Sequence, residues 1–408
     1  MKRFILLVMI VVIGYVSKPL WEEPVQQFIP SSVTDSIGST VNSVKENPDI
    51  NFAIDTLNQQ IKSLYTTFNN QLLESNESNV ETPNQPSESS DSNIETPNQP
   101  SESNDSNVET PNLTAPKEQM FSIHNIELGG SRADVEQEIG KPKRTSINEY
   151  GVSWEAYHEN YQNFIMVAYD ENNIVRGLYT NQDLIASSAG IKLGSPKQLV
   201  QEQLGTPESI MRKGLINYEI NRNGEYDVFQ RDNSYVTVFY DKHENNTVTA
   251  IQVIDENLEQ NKKALYTKSS QQLKAGFEYQ LFDLTNASRV NHDLPILTWD
   301  NHVRETARDH SLDMAENQYF DHTNLQGQSP FDRMREDNVR FMTAGENLAY
   351  GQFSSIFAHE GLMNSLGHRK NILQENYEYL GVGVAFNNES QPYYTQNFYS
   401  DSLFSIES

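Results

Sequence analysis

Apolar residues at Ile50, Ile54, Leu57, Ile61, Leu64 and Phe68 recur at alternating spacings of four and three, which predicts one amphipathic helix after Pro48. Further along, IELGGSRADVEQEIGKP (126–142) aligns with IKLGSPKQLVQEQLGTP (191–207) at an offset of 65 residues. Each reads as a strand and a short helix that stops at Gly140 or Gly205. Glycine accepts the left-handed cap, and the proline two residues on cannot continue the helix. FIMVAYDENNIVRGLYT (164–180) and YVTVFYDKHENNTVTAIQV (235–253) follow, and Tyr-Asp then Asn-Asn between β-rich runs predicts a hairpin in each. The last third begins with helices. One is predicted over 272–291, with Phe277, Leu281 and Leu284 on one face. A second is predicted over 300–318, with Val303, Ala307, His310 and Met314 in register, and a third over 354–366. Two β runs, 381–386 and 392–400, then flank a turn at 387–391. Helices followed by strands predict an α+β or three-layer arrangement, not a doubly wound sheet.

The N-terminus, MKRFILLVMIVVIGYVSKPLW (1–21), places Lys2 and Arg3 before an uncharged stretch at 4–16. That stretch is shorter than the ~20 residues a bilayer span wants. Lys18 can snorkel and Trp21 can sit at the interface, which extends it. No small-x-small cleavage site follows, so the segment reads as an uncleaved membrane anchor with the body outside. A cleaved signal peptide and a secreted body is the alternative.

Between anchor and folded sequence lie a polar region with the amphipathic helix (22–73) and an acidic, disordered linker (74–118). In the linker SNVETPN, SNIETPN and SNVETPN recur every 14 residues. Residues 74–112 carry nine acidic side chains and no Lys or Arg, a composition that stays solvated and self-repelling. A duplicated module (119–260) and a last domain (266–408) complete the chain.

Over 408 residues the net charge is −26, which argues against nucleic acid as a partner. There is no cysteine. Disulfides, thiolate nucleophiles and Cys-ligated zinc are thereby excluded, and the folded parts must hold by packing. That suits a bacterial surface protein.

Six of the nine histidines lie in the last domain. His292 and His302 sit in polar surroundings, and His310 lies on a core stripe. His359-Glu360 opens an H-E-x-x-H pattern, but Met363 stands where the second histidine belongs. His322, Glu346 and His368 remain, in YFDHTN, GENLAYG and GHRKNIL. Imidazole and carboxylate are both zinc ligands and general acids or bases. The other reading has the imidazoles making local hydrogen bonds at helix ends while Glu346 orders a glycine turn.

NASRVNHDLPILTWD, ARDHSLDMAENQYFDHTN, SPFDRM, AGENLAYG, MNSLGHRKNIL and YLGVGVAF, in that order over about 271–400, resemble a bacterial CAP domain. This is the superfamily of cysteine-rich secretory proteins, antigen 5 and pathogenesis-related 1 proteins, also called SCP-like. The duplicated stretch over about 120–258 resembles the CAP-associated domain of Bacillus-type proteins. The resemblance implies an α-β-α sandwich with a central groove faced by two histidines and two glutamates, where some members bind a divalent metal. His322 and Glu346 match that pattern. The second glutamate's place falls at Ser365 and the second histidine's at Tyr393, so both depart from it. His368 can supply an imidazole from another wall, leaving His322, Glu346 and His368 as a three-ligand set for zinc or magnesium. Arg369 and Asn371 read as structural. A Ser365–His368 pair has no third orienting group. The leading expectation is a membrane-tethered protein that binds a lipid, cell-wall or peptide ligand. A metal-dependent, peptidase-like hydrolase and a purely structural surface module are the alternatives.

Overall fold

A computed structural model describes residues 108–213, 216–220 and 224–401. The anchor, the amphipathic helix and the 14-residue repeats up to residue 107 lie outside the described residues. Among the described residues no helix is long and apolar enough to cross a membrane.

The described chain starts without helix or strand but is tied down. The amides of Lys117, Glu118 and Gln119 donate to the Glu127 carboxylate at 2.9 Å each. Then come β1 (Phe121–Ile123), α1 (Arg132–Ile139), β2 (Arg144–Ile147), β3 (Ser153–Glu159), β4 (Gln162–Tyr169), β5 (Val175–Thr180) and β6 (Ile185–Ser187). They are followed by α2 (Lys197–Leu204), β7 (Ile210–Lys213), β8 (Ile216–Glu219), β9 (Tyr226–Arg231), β10 (Ser234–Asp241), β11 (Thr247–Asp255) and α3 (Glu256–Asn261). The helices α1 and α2 end where expected, at Gly140 and Gly205 with φ of +81° and +77°.

Seven strands form one antiparallel sheet in the order β2-β3-β4-β5-β11-β10-β9. Its two faces are both buried. Ile165, Val167, Val236 and Val238 face α1 and α2, with Val135, Val200 and Leu204. Trp154, Phe164, Met166, Tyr179 and Phe239 face the other way and join Phe277, Leu281, Leu284 and Phe357 of the last domain.

The last domain comprises α4 (Gln271–Val290), β12 (Thr298–Trp299), α5 (Asn301–Asn317), α6 (Pro330–Glu336), β13 (Thr343–Tyr350), α7 (Ser355–Met363), α8 (Leu366–Ile372), β14 (Tyr379–Phe386) and β15 (Pro392–Ser400). Its sheet runs β12-β14-β15-β13, with α4 and α7 on one face and α5 on the other. The helix expected over 354–366 is two helices. Asn364 ends the first because its side chain leaves for the module, accepting from Lys242 N at 2.9 Å and donating to the Tyr240 carbonyl at 2.9 Å. GENLAYG is not a glycine turn. Residues 345–350 are strand, paired with β15 from Thr343↔Ser400 to Tyr350↔Tyr393.

Helix α4 lies between the two sheets and is buried almost all round. Its polar residues survive there because each has partners. Glu278 takes Arg304 and Arg308, and Asp283 takes Arg144 at 2.9 Å and the Tyr161 hydroxyl at 2.8 Å. Gly276 is where the backbones touch, since a Cβ there would stand 2.0 Å from the Ile147 carbonyl oxygen.

Candidate functional site

β13 is the edge strand of its sheet, and α6, α7 and α8 pack against it, so that its residues 345–349 are buried. Successive residues of a strand point to opposite faces. Glu346 points toward α5 and α6, and Asn347 toward α4. The Asn347 amide donates to Gln396 Oε1 at 3.2 Å and to the His368 carbonyl at 3.1 Å. Asn371 donates to Asn347 Oδ1 at 2.9 Å and to the Glu346 carbonyl at 3.1 Å. These bonds stitch α8, and with it His368, onto the strand. Gly345 has no side chain for a steric reason: a Cβ there would stand 2.2 Å from Tyr377 Oη.

His322 follows α5 on the other face. Its Nδ1 lies 2.9 Å from Glu346 Oε1, and Arg333 Nη2 donates to Glu346 Oε2 at 2.7 Å. Arg333 also donates to the His322 carbonyl at 2.7 Å, so one guanidinium fixes both members of the pair. Arg333 and Glu346 are buried, whereas the His322 side chain is 51 % exposed. A carboxylate accepts only, so the shared proton sits on Nδ1, and in the neutral form of the ring the lone pair falls on Nε2. The His368 pKa is lowered, first by burial and then by repulsion from neighbouring His322 when both rings are protonated. The arrangement is therefore an oriented imidazole with a second, neutral-leaning imidazole beside it. It can accept a hydrogen bond or a proton.

Of the three expected ligands, Glu346 has both oxygens engaged, Oε1 against His322 Nδ1 and Oε2 accepting from Arg333. Among the described residues no three His, Asp or Glu side chains are grouped so as to hold a metal ion. Two imidazoles remain, a donor set that suits zinc and not magnesium, which takes oxygen ligands.

Ser365 and Tyr393 do not join the pair. Ser365 occupies the N-cap of α8, makes no side-chain capping bond, and accepts from Arg369 N through its carbonyl. Tyr393 is buried among Met314, Ala315, Leu348 and Ala385, its ring 4.2 Å from Tyr350. Burial pushes its phenol up to about 12. It pairs with Tyr350, four residues along β13 from Glu346, roughly 13 Å at the rise of a strand. Phe320 and Leu366, each two positions before a histidine, are exposed, and the Phe320 ring lies 5.9 Å from that of exposed Tyr350.

Two further histidines of the last domain are buried with local partners. His310 is buried, with Nε2 2.9 Å from the Asp321 carbonyl. His359 is buried with Nε2 2.7 Å from Ser288 Oγ. Arg369 bonds Asp241 of the module at 2.7 Å. The residue that sequence reasoning missed is Arg333. The signal was present in SPFDRM, because a buried carboxylate in GENLAYG needs a cationic partner.

The profile described as the cysteine-rich secretory protein family matches residues 282–398, and the one described as CAP-associated N-terminal matches residues 128–265. YlbC of Bacillus subtilis, described as an uncharacterized membrane protein, is 31% identical over 290 residues, covering 66% of this chain and 81% of that protein. The chain belongs to the bacterial CAP-domain family. YkwD of the same bacterium, also uncharacterized, is 39% identical over 132 residues, 32% of this CAP protein and 50% of its own length. Among solved structures, an extracellular SCP-domain protein from Bacillus anthracis superposes with a TM-score of 0.57 at 26% identity, covering 67% of this chain and 93% of that one. A cysteine-rich secretory protein from Staphylococcus aureus gives 0.55 at 16% identity, with 71% and 96% covered, a likeness of fold. The present CAP protein has the family's fold without any cysteine.

Proposed function

We propose that this CAP protein works outside the cytoplasmic membrane, held to it by residues 1–21, and that the groove at His322 and His368 binds a lipid, cell-wall or peptide ligand without turning it over. The location is supported by the description of YlbC as a membrane protein and of the Bacillus anthracis neighbour as extracellular. The binding reading is carried by one observation. Glu346 places both oxygens on Arg333 and His322, so the half-exposed imidazole is oriented by its carboxylate, and among the described residues no nucleophile is hydrogen-bonded to it. The module at 119–260 is inferred to be a duplication. Its two helix-plus-meander halves meet at the β5–β11 pair in the middle of one sheet.

The test is equilibrium binding of the full chain to anionic vesicles, wall fragments and a peptide library, with and without EDTA. Binding that survives EDTA and is lost in His322→Ala is the expected result. Cleavage of any of these substrates in an EDTA-sensitive manner would overturn it.

A second reading, a zinc-dependent hydrolase, draws on one feature. A carboxylate on Nδ1 is the usual outer partner of a metal-bound histidine, and it leaves Nε2 for the ion. In that version His322 and His368 would be the ligands, and a bound metal would supply Lewis acidity. Elemental analysis of the full chain decides it: stoichiometric zinc that disappears in the His322→Ala, His368→Ala double variant would favour hydrolysis.

A further inference from the structure

Away from the groove, the seam between module and CAP domain holds a cavity of about 230 Å³. Tyr226 of β9, Phe239 of β10 and Phe357 of α7 form its aromatic side. The Phe239 and Tyr226 rings each lie 5.1 Å from Phe357, edge to face. Its polar lining includes two carboxylates, Glu360 and Glu225, and the Gln352 side-chain amide. Glu360 of α7 is 4% exposed, and its Oε1 accepts from the Tyr179 hydroxyl at 2.6 Å. Among the described residues nothing donates to its other oxygen. Gln352 Oε1 is buried and has no hydrogen-bond partner. Glu225 stands at the same cavity, paired on one side with Lys242 at 2.9 Å. Among the described residues no Lys or Arg lines the space.

We propose that this seam cavity binds a primary ammonium group on an alkyl chain, presented either by a free amine or by a lysine side chain. An ammonium has three N–H donors and no acceptor, the complement of a lining that offers Glu360, Gln352 Oε1 and Glu225. Aromatic faces attract a cation further, and Lys262 Nζ already lies 4.5 Å over the neighbouring Phe353 ring. The volume is below the usual range for drug-sized ligands, so the guest is the size of a side chain. The site is separate from the His322 groove, and the inference does not depend on what that groove binds.

Binding is coupled to a proton. Burial pushes the Glu360 carboxyl up to about 7; the Tyr179 hydroxyl pulls it down, the Asp241 charge adds to the rise, and Arg369 opposes it. Glu225 with its partner Lys242, and Lys262 over the Phe353 ring, are further charges at this face among the described residues. A cationic guest selects the ionised carboxylate, so affinity rises with pH through this range.

Calorimetric titration of the full chain with n-pentylamine and with Nα-acetyl-lysine methylamide, at pH 8 and pH 6, tests this. At least one amine is expected to bind one-to-one at pH 8, about tenfold or more weakly at pH 6 and in Glu360→Gln, as the charge-assisted bond is lost. The Nε-acetylated lysine derivative is expected not to bind. Binding of pentylamine alone identifies a free amine, and binding of the lysine derivative alone identifies a peptide side chain. No saturable binding of either amine at pH 8, or equal binding of the acetylated control, overturns the proposal. If Glu360→Gln does not fold by its thermal melt, Gln352→Leu takes its place. Unchanged amine affinity in the folded variant is then the overturning result.

Discussion

At the scale of single residues, the His322–Glu346 pair depends on a cation that no spacing rule pointed to. Arg333 neutralises a carboxylate that is almost wholly out of solvent. Removing one partner of a buried pair leaves an uncompensated charge, so Arg333→Ala should cost about 3–5 kcal/mol, read by urea denaturation. Arg333→Lys should recover only part of that, because an ammonium cannot reproduce the fork that spans Glu346 and the His322 carbonyl. His359 makes a second prediction. Burial holds its imidazole at about 3, below the ordinary 6.5, so the folded state keeps it neutral. A base with a depressed folded pKa contributes stability that is complete above 6.5 and is lost as pH falls toward 3. His359→Gln removes that dependence, so the stability advantage of the parent over the variant should shrink between pH 7 and pH 4.5 in paired urea melts. A constant advantage would mean that His359 is not buried neutral. His322, Glu346 and His368 were legible as chemistry-bearing residues in the sequence. What they do with one another was not, because 24- and 22-residue separations are bridged only by a strand edge and two asparagines.

At the scale of elements, periodicity located α4 and α5 to within a residue or two because each carries an apolar stripe, whereas the short helices α3 and α6 were not predicted. It failed where the interaction deciding an element is distant. The break between α7 and α8 is set by Asn364 bonding to the module, which a local window cannot see. GENLAYG misled because Gly345 looks like a turn residue, whereas its role is to admit Tyr377 against a strand. The same logic governs YLGVGVAF. Gly381 and Gly383 lie under α5, and a Cβ on Gly383 would stand 2.1 Å from Arg308 N. Gly383→Ala should therefore lift the helix from the sheet and cost about 3 kcal/mol or more, visible as a lower melting temperature. An unchanged melting temperature would mean that the helix rides higher on the sheet than described here.

At the scale of the molecule, module and CAP domain share a continuous core running from Trp154 and Phe164 through α4 to Val382 and Phe398. The expected division near residue 260 separates two family profiles, but not two independent cores. A clue was present in FIMVAY (164–169), which does not alternate. An antiparallel strand buried on both faces reads this way, and the repeat itself supplies helices for only one face. The sequence held no sign of which element covers the other. The shared core predicts that the full chain melts in one cooperative transition by calorimetry. Gly276→Val, which drives a side chain into the Ile147 carbonyl, should split it into two. Two transitions already present in the parent would contradict the single core.

The position of α4 between the sheets also fixes an order of events during synthesis. The strands of the module are all made by Asp255, but Trp154, Phe164, Tyr179 and Phe239 have nothing over them until residues 277–287 follow. A nascent module therefore waits with a bare apolar face for the first helix of the next domain. That helix in turn meets a finished sheet before any of its own strands exist. Stalling the chain between residues 261 and 271 should give a species that binds hydrophobic dyes and aggregates. Releasing another thirty residues should cure both, which makes α4 the point at which one half of the protein hands its fold to the other.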